Sequence, residues 1–363
     1  MKNILMVIGT RPEAVKMCPL ALELKKRTEL NVRVLATGQH GEMLYSVLDF
    51  FGVTPDYNLD VMAAGGALAG VTENVLRGTL EVLERESFDI VLVHGDTTSA
   101  FAAALAAFYA RVSIGHVEAG LRTHNPQEPY PEEFNRAAID AMAEFFFAPS
   151  AVAVENLFAE GKSRPRVFAT GNTGIDALEY TVRKDFSHRA LDFARGRKLM
   201  LITAHRRENL GLAMEEMFRG ISRALSYFPE WCAVFPVHKN PAVRAAAEKE
   251  FEGNAGVMLT EPLCVFDFHN ILARAELLVT DSGGAQEEAA SLGVPMLVMR
   301  RVTERREGAD SGAAILIGNS EESVFEGLFG FLSGKTEIKS DAARNAYGDG
   351  KASERIANIL AEI

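Results

Sequence analysis

Short apolar, β-branched runs alternate with longer helical patterns from one end of the chain to the other. Such runs, bounded by glycine, proline or small polar residues, are typical of buried strands. The strands predicted in the first half are residues 4–8, 32–36, 90–93, 112–116, 145–148 and 167–169. The helices predicted between them include 12–27, 42–51, 72–86 and 99–109. Strand–helix–strand alternation implies a parallel, doubly wound sheet.

A second series of strands follows a pause in this pattern. The pause lies near residues 171–174, and the charged stretch that continues to Lys198 contains few strand formers. The later strands are predicted at 199–202, 232–237, 257–259, 277–279, 296–299 and 315–317. We therefore predict an α/β protein of two Rossmann-like domains, residues 1–172 and 173–363, whose last helix (353–363) could pack back on the first domain. Open α/β sheets bind ligands beyond the carboxyl ends of their strands, so we expect the site in a cleft where the two domains face each other.

Composition and charge narrow the class of protein. The 363 residues carry a net charge of −11, which argues against nucleic-acid binding because such proteins usually have a basic surface. Three cysteines without paired spacing fit a reducing compartment and exclude a disulfide scaffold. The longest apolar run, 100–110, is shorter than the ~18 residues of a spanning helix, and the apolar amino terminus lacks a cleavage pattern. We expect a soluble, cytoplasmic protein with no membrane partner.

Polar residues follow several strands of the first half. Arg11 lies beside Pro12 at a helix start, where it can point at an anion. Asp96 and Glu118 follow two later strands, and Glu132 opens a helix. Each carboxylate has a simpler explanation, since Asp96 could cap the next helix and acidic residues favour helix starts. Converging in one cleft, the three would instead have shifted pKa values suited to proton transfer.

The second half carries features that favour phosphate binding. Residues 277–290 predict a strand, a turn at Ser282, Gly283 and Gly284, and then a helix. The first turn of a helix has unpaired N–H groups and a positive dipole end, and glycines let an anion approach them. Glu288, further along this helix, could reach a sugar hydroxyl. An ordinary N-capped helix is the alternative.

Histidines accompany several of these strand ends. His205, followed by Arg206, suits anion binding combined with proton transfer, and His238 follows the next strand. A metal site is an alternative interpretation of the pairs His94-x-Asp96 and His116-x-Glu118, although no zinc motif occurs. No glycine-rich dinucleotide fingerprint follows either first strand, so we do not expect NAD.

Taken together and in order, these motifs resemble those of the non-hydrolysing UDP-N-acetylglucosamine 2-epimerases, which have a GT-B-like pair of Rossmann domains. The resemblance covers nearly the whole chain. It rests on GTRPE at 9–13, GQH at 38–40, HGDT at 94–97, HVEAGLR at 116–122, PEEFNR at 131–136, TGN at 170–172, HRREN at 205–209, DSGG at 281–284 and TER at 303–305.

The resemblance implies reversible conversion of UDP-GlcNAc to UDP-ManNAc for cell-surface polysaccharide precursors. It implies a homodimer that needs no cofactor and no metal. The catalytic residues implied are Asp96, Glu118 and Glu132, assisted by His205. The residues implied to bind UDP are Arg11, Lys16, His205, Phe268, Ser282, Gly283, Gly284, Glu288 and Arg305.

Some positions depart from the family pattern. Bacterial members often bind a second, regulatory UDP-GlcNAc at positions that match Gln39, Glu42, Glu132, Arg206 and His238; here Glu42 replaces a common glutamine. Arginines at 301 and 306 would suit a substrate with a carboxylate, such as a UDP-2,3-diacetamido uronic acid. Two further alternatives are a hydrolysing epimerase that releases ManNAc and UDP, and a glycosyltransferase of the same fold.

Overall fold

The computed structural model describes residues 1–61, 67–206, 209–301, 309, 312–339 and 346–363. The chain divides into two compact units. Unit 1 comprises residues 1–180 and 348–363, and unit 2 comprises residues 181–347.

Unit 1 contains a parallel sheet in the order β3-β2-β1-β4-β5-β6-β7. Its strands are β1 (Lys2–Ile8), β2 (Leu30–Ala36), β3 (Tyr57–Asn58), β4 (Ile90–His94), β5 (Ser113–Val117), β6 (Phe145–Ala148) and β7 (Val167–Ala169). Its helices before residue 182 are α1 (Arg11–Lys25), α2 (Glu42–Phe51), α3 (Leu68–Arg85), α4 (Thr98–Tyr109), α5 (Glu132–Met142), α6 (Ala151–Ala159) and α7 (Thr173–Thr181). The predicted doubly wound sheet is confirmed.

Small residues bring α4 close to the sheet of unit 1. Val91 and Val93 of β4 share one core cluster with alanines of α4, among them Ala103 and Ala107. Alanine side chains allow close approach of helix and strand, and their burial removes apolar surface from water. This packing places the beginning of α4 at the carboxyl ends of the central strands.

Unit 2 contains a second parallel sheet, in the order β10-β9-β8-β11-β12-β13. Its strands are β8 (Lys198–Thr203), β9 (Trp231–Pro236), β10 (Val257–Thr260), β11 (Leu277–Thr280), β12 (Met296–Val298) and β13 (Ala314–Leu316). Its helices are α8 (Arg189–Phe193), α9 (Leu212–Leu225), α10 (Pro241–Phe251), α11 (Val265–Leu272), α12 (Gly283–Leu292) and α13 (Glu321–Leu332). Phe218 of α9 packs between Phe235 and Phe251, with ring centroids 5.2 and 5.4 Å away.

The last helix, α14 (Ala352–Glu362), belongs to unit 1. Asp176 of α7 accepts hydrogen bonds from the backbone N–H groups of Ala352 at 3.2 Å and Ser353 at 2.6 Å, so it caps this helix. The sequence pattern placed the division after residue 172. The structure groups 173–180 with unit 1, since α7 carries this cap.

Two of the differences from the sequence prediction have a clear local cause. Strand β3 was not predicted, because its two residues are too few to show a periodic pattern. Helix α3 begins at Leu68 instead of residue 72, and its N-cap, Ala67, has no side chain that could signal the start. No helix in the described part of the chain is long and apolar enough to cross a membrane.

Candidate active site

Asp96 lies at the carboxyl end of β4 and is held by α5. Its carboxylate forms an ion pair with Arg136, and its backbone carbonyl accepts a hydrogen bond from Asn135 Nδ2 at 2.9 Å. Burial raises the pKa of Asp96; Arg136 opposes this rise, and Glu118 and Glu132 add to it. Glu118 and Glu132 are therefore close enough to Asp96, at one edge of the unit 1 sheet, to affect its carboxylate.

Glu118, which follows β5, has an unusual backbone. Its φ angle is 67°, in the left-handed region that side chains other than glycine rarely adopt. The carboxylate is paired with Lys16 of α1, and its Oε2 lies 3.9 Å from His94 Nε2. Burial lowers the pKa of His94 to about 3, so this ring is neutral. A strained backbone that aims a carboxylate at a lysine and a buried histidine is typical of a functional position.

The β4 and β5 loops approach each other closely. Gly95 has a φ of 64°, and a Cβ there would lie 3.2 Å from Glu118 Oε2. Glycine therefore provides both the left-handed conformation and the space that this carboxylate occupies.

Two adjacent carboxylates at the start of α5 have different roles. Glu132 is half-buried and is one of the groups that raise the pKa of Asp96. Glu133 is buried and accepts hydrogen bonds from the backbone N–H groups of Thr123 at 2.8 Å and His124 at 2.9 Å. Glu133 therefore orders the preceding loop.

His116 has a structural position. Its Nδ1 lies 2.6 Å from Asp140 Oδ1 and its Nε2 lies 2.8 Å from the carbonyl oxygen of Gly95, and the ring is fully buried. Both ring nitrogens therefore face protein oxygens, which leaves neither for a metal ion. Within the described ranges, no three His, Cys, Asp or Glu residues form a metal-binding group.

Arg11 is the first residue of α1, immediately after the N-cap Thr10. Its backbone N–H donates to His40 Nδ1 at 3.3 Å. Burial lowers the pKa of His40, and Arg11 lowers it further. A neutral His40 can therefore accept from the backbone and orient the beginning of this helix.

In unit 2, Asp281 organises the end of the sheet. It follows β11, is fully buried, and accepts hydrogen bonds from the backbone N–H groups of His205 at 3.1 Å and Arg206 at 3.0 Å, and from Asn209 Nδ2 at 3.1 Å. The loop after β8 is thus fixed to the loop after β11. Sequence analysis missed this role; the available signal was an acidic residue directly after an apolar strand.

His205 and His238 lie together in unit 2. Their rings stack with centroids 5.7 Å apart, and the side chain of His205 is 43% exposed. Burial lowers the pKa of His238, and proximity to His205 lowers it further. One residue predicted to be catalytic and one predicted to be regulatory are therefore neighbours.

The predicted phosphate-binding turn begins α12. Ser282 is the N-cap, and its side chain makes no capping hydrogen bond, so the hydroxyl does not occupy the helix end. A Cβ at Gly284 would contact nothing within 4 Å, which means that the first turn borders open space. This geometry suits an anion bound to backbone N–H groups.

Glu288, one turn further along α12, lies beside a residue that the sequence analysis missed. Its Oε1 lies 3.3 Å from Nε2 of the buried His269, whose Nδ1 is 2.7 Å from Thr181 Oγ1. Phe268, predicted to bind UDP, is half-buried beside His269. A lone histidine in an apolar helix gives no sequence signal for this role.

The remaining predicted residues belong to both units. Gln39 Oε1 accepts from the backbone N–H of Ser99 at 3.3 Å and from its hydroxyl at 2.7 Å, and Glu42 is exposed at the start of α2. Arg206 Nε donates to the carbonyl oxygen of Asp281 at 3.0 Å. Arg305, predicted to bind UDP, lies outside the described residues.

Comparisons with known proteins agree with this architecture. The family model described as UDP-N-acetylglucosamine 2-epimerase matches residues 22–361. A UDP-N-acetylglucosamine 2-epimerase of Bacillus subtilis is 49% identical over 359 residues, which cover 99% of this chain and 94% of that protein.

Two solved structures are also similar. An S. aureus structure described as a complex of MnaA with UDP has a TM-score of 0.92 and 42% identity, and the alignment covers 99% of this chain and 96% of that one. A UDP-GlcNAc 2-epimerase from Neisseria meningitidis bound to UDP-GlcNAc has a TM-score of 0.91 and 37% identity, with 99% and 100% covered.

Each unit has a parallel, doubly wound sheet with polar and charged side chains at the carboxyl ends of its strands. These features define an α/β enzyme of the GT-B-like class. Within that class, the chain belongs to the UDP-N-acetylglucosamine 2-epimerase family.

Proposed function

We propose that this protein reversibly converts UDP-GlcNAc to UDP-ManNAc by eliminating UDP and adding it back. The observation that carries the proposal is the group of carboxylates around Asp96 in unit 1. Asp96 has a raised pKa, Glu118 is paired with Lys16 on a strained backbone, and Glu132 is close enough to affect Asp96. Groups with such perturbed environments suit proton transfer near neutral pH.

The reaction needs proton transfer on both faces of one carbon atom. The hydrogen on C2 of the sugar is not acidic, because no carbonyl lies beside it. Its removal by a base is therefore coupled to breaking of the bond between C1 and the diphosphate oxygen, which leaves a C1–C2 double bond. Protonation of C2 from the opposite face and return of the diphosphate to C1 give the epimer. Asp96, Glu118 and Glu132 supply the base and the acid, and His205 assists.

The diphosphate is the leaving group, so cationic and N–H donors lower the barrier as its charge develops. We assign this role to the first turn of α12 at Ser282 and Gly283, together with Arg11, Lys16 and Arg305. We assign the ribose hydroxyls to Glu288, which lies beside His269, and the uracil side to Phe268. The S. aureus relative with UDP and the Neisseria meningitidis relative with UDP-GlcNAc support a ligand of this class.

Proton NMR in deuterated water tests the proposal. UDP-GlcNAc should be converted to UDP-ManNAc, with deuterium at C2 in both and no accumulation of free UDP. Free ManNAc and UDP would mean hydrolysis. Turnover of a UDP-2,3-diacetamido uronic acid, with none of UDP-GlcNAc, would identify a modified sugar as the substrate.

We also propose that the protein is a cytoplasmic homodimer that supplies cell-surface polysaccharide precursors. Three free cysteines fit a reducing compartment. Exposed aromatic side chains on α4 and α5, namely Phe108, Tyr109 and Phe134, offer apolar surface for association. Sedimentation at several concentrations tests the dimer, and cell fractionation tests the compartment.

A further inference from the structure

A buried carboxylate that the proposed mechanism does not use lies beneath the loops after β1 and β4. Glu13, in the first turn of α1, is 2% exposed. Its Oε2 accepts a hydrogen bond from the backbone N–H of Gly9 at 3.0 Å, and its Oε1 accepts one from the hydroxyl of Thr97 at 2.8 Å. Burial raises the pKa of Glu13 to about 7, although hydrogen bonds from Thr10, Thr97 and Gly9 lower it.

The two threonines around Glu13 are the N-caps of two different helices. Thr10 caps α1 and accepts from the N–H of Glu13, whereas Thr97 caps α4 and accepts from the N–H of Ala100 at 3.0 Å. Thr10-x-x-Glu13 therefore has the sequence spacing of a capping box, although Glu13 accepts from the backbone N–H of Gly9, the residue before the cap. A capping box needs no contact with a second helix, so the hydrogen bond from Thr97 serves another purpose.

The same two loops are tightly packed. A Cβ at Gly9 would collide with the side chain of Ser99. The Oγ of Ser99 lies 2.9 Å from Thr37 Oγ1 and donates to Gln39 Oε1 at 2.7 Å. The beginning of α4 is thus packed against Gly9 of the β1 loop and hydrogen-bonded to the loop after β2, and Glu13 joins it to the β1 loop through Thr97.

We propose that Glu13 is a positioning residue that holds Asp96 and Arg11 in a fixed relation to each other. Asp96 immediately precedes the cap Thr97, and Arg11 immediately follows the cap Thr10. The inference rests on the proposed function, in which a carboxylate acts at C2 while a cation stabilises the departing diphosphate. A displacement of about 1 Å in such an arrangement can cost on the order of 100-fold in rate.

A carboxyl group suits this place because both of its oxygens accept hydrogen bonds, and the neighbouring N–H of Gly9 and hydroxyl of Thr97 are donors. Glu13→Gln keeps the volume of the side chain but turns one acceptor into a donor. This change therefore loosens the connection without opening a cavity.

A double-mutant cycle of Glu13→Gln and Thr97→Val in the full chain tests the proposal. Turnover at saturating UDP-GlcNAc and UDP affinity by calorimetry are measured for each protein. We expect each single variant to lower kcat on the order of 10- to 100-fold, with UDP affinity changed less than about threefold. Because both changes break one connection, the double variant should be no slower than the slower single variant.

Two further variants separate positioning from helix capping. Thr97→Ser keeps the hydroxyl and should retain kcat. Ser150→Ala removes the N-cap of α6, whose side chain accepts from the N–H of Ala153 at 3.3 Å, and should leave kcat unchanged. If Glu13→Gln does not fold, equal turnover of Thr97→Val and Thr97→Ser overturns the proposal.

Two results overturn the positioning role alone. The first is full turnover by Glu13→Gln. The second is a double variant whose loss in kcat equals the product of the two single losses. In both cases the wild-type protein must be active. A wild-type protein that puts no deuterium at C2 of UDP-GlcNAc would instead overturn the proposed function, and the positioning role with it.

Discussion

The carboxylate of Asp281 lies 3.1 Å from the backbone nitrogen of His205, although the two residues are 76 positions apart in the chain. The same carboxylate accepts from the N–H of Arg206 and from Asn209. These partners are all donors, so the loop that carries His205 depends on the acceptor oxygens of one buried side chain.

Asp281→Asn should therefore disorder the loop after β8. One oxygen becomes an NH₂ group that faces other donors, which costs on the order of 1–3 kcal/mol. We expect UDP affinity, measured by calorimetry, to fall more than about tenfold, together with a lower urea midpoint. Asp192→Asn, at an exposed ion pair with Arg195 in the same unit, is the matched control and should change neither. Unchanged UDP affinity in Asp281→Asn would contradict the organising role.

Asp96→Asn tests the proton-transfer role. The substitution keeps the shape of the side chain but removes its ability to accept and return a proton. Deuterium incorporation at C2 should fall by on the order of 10²- to 10⁴-fold, while UDP binding stays within about threefold of wild type. Asp49→Asn, at an exposed position of α2, should behave like the wild type. Substantial remaining turnover would reduce Asp96 to a structural residue of the β4 loop.

Glu288→Gln tests recognition of the ribose. The carboxylate next to His269 is proposed to accept from the ribose hydroxyls, so its neutral amide should bind UDP about tenfold more weakly. The preference for UDP over 2′-deoxy-UDP should shrink in the same variant. Glu248→Gln, exposed on α10, provides the control. An unaltered preference for UDP over 2′-deoxy-UDP would show that Glu288 does not bind the ribose 2′-hydroxyl.

Glu13 should make stability depend on pH. Its pKa is about 7 in the folded protein and about 4.5 when unfolded, so the stabilising contribution of this group is complete below about pH 4.5. It is lost as the pH rises through about 7, because folding then requires a buried negative charge. Relative to Glu13→Gln, the wild type should lose on the order of 3 kcal/mol of unfolding free energy between pH 4.5 and 8. Parallel urea titrations of both proteins measure this difference, and equal pH dependence would be the contrary result.

The fold could be predicted from the sequence to the extent that it is local. Strands such as β4 and β11 are apolar up to their last residue, and α4 is an alanine-rich stretch. Its N-cap is Thr97, one residue after Asp96, the cap candidate in the sequence. The start of α3 could not be predicted, because Ala67 makes no side-chain cap.

The candidate site was predictable in its residue types but not in its connections. Asp96 and Glu118 could be singled out because each follows a strand directly. The hydrogen bond between Thr97 and Glu13 joins residues 84 positions apart, and the contact between His269 and Glu288 joins two helices. Such pairs depend on how strands are ordered in the sheet, which no local pattern encodes.

The left-handed backbone at Glu118 sets two selective pressures against each other. Glycine or asparagine would adopt this conformation at lower energetic cost, but either would remove the carboxylate that Lys16 contacts. A library of variants screened only for heat resistance should therefore drift away from glutamate at position 118. A library screened for growth that depends on the product should retain it.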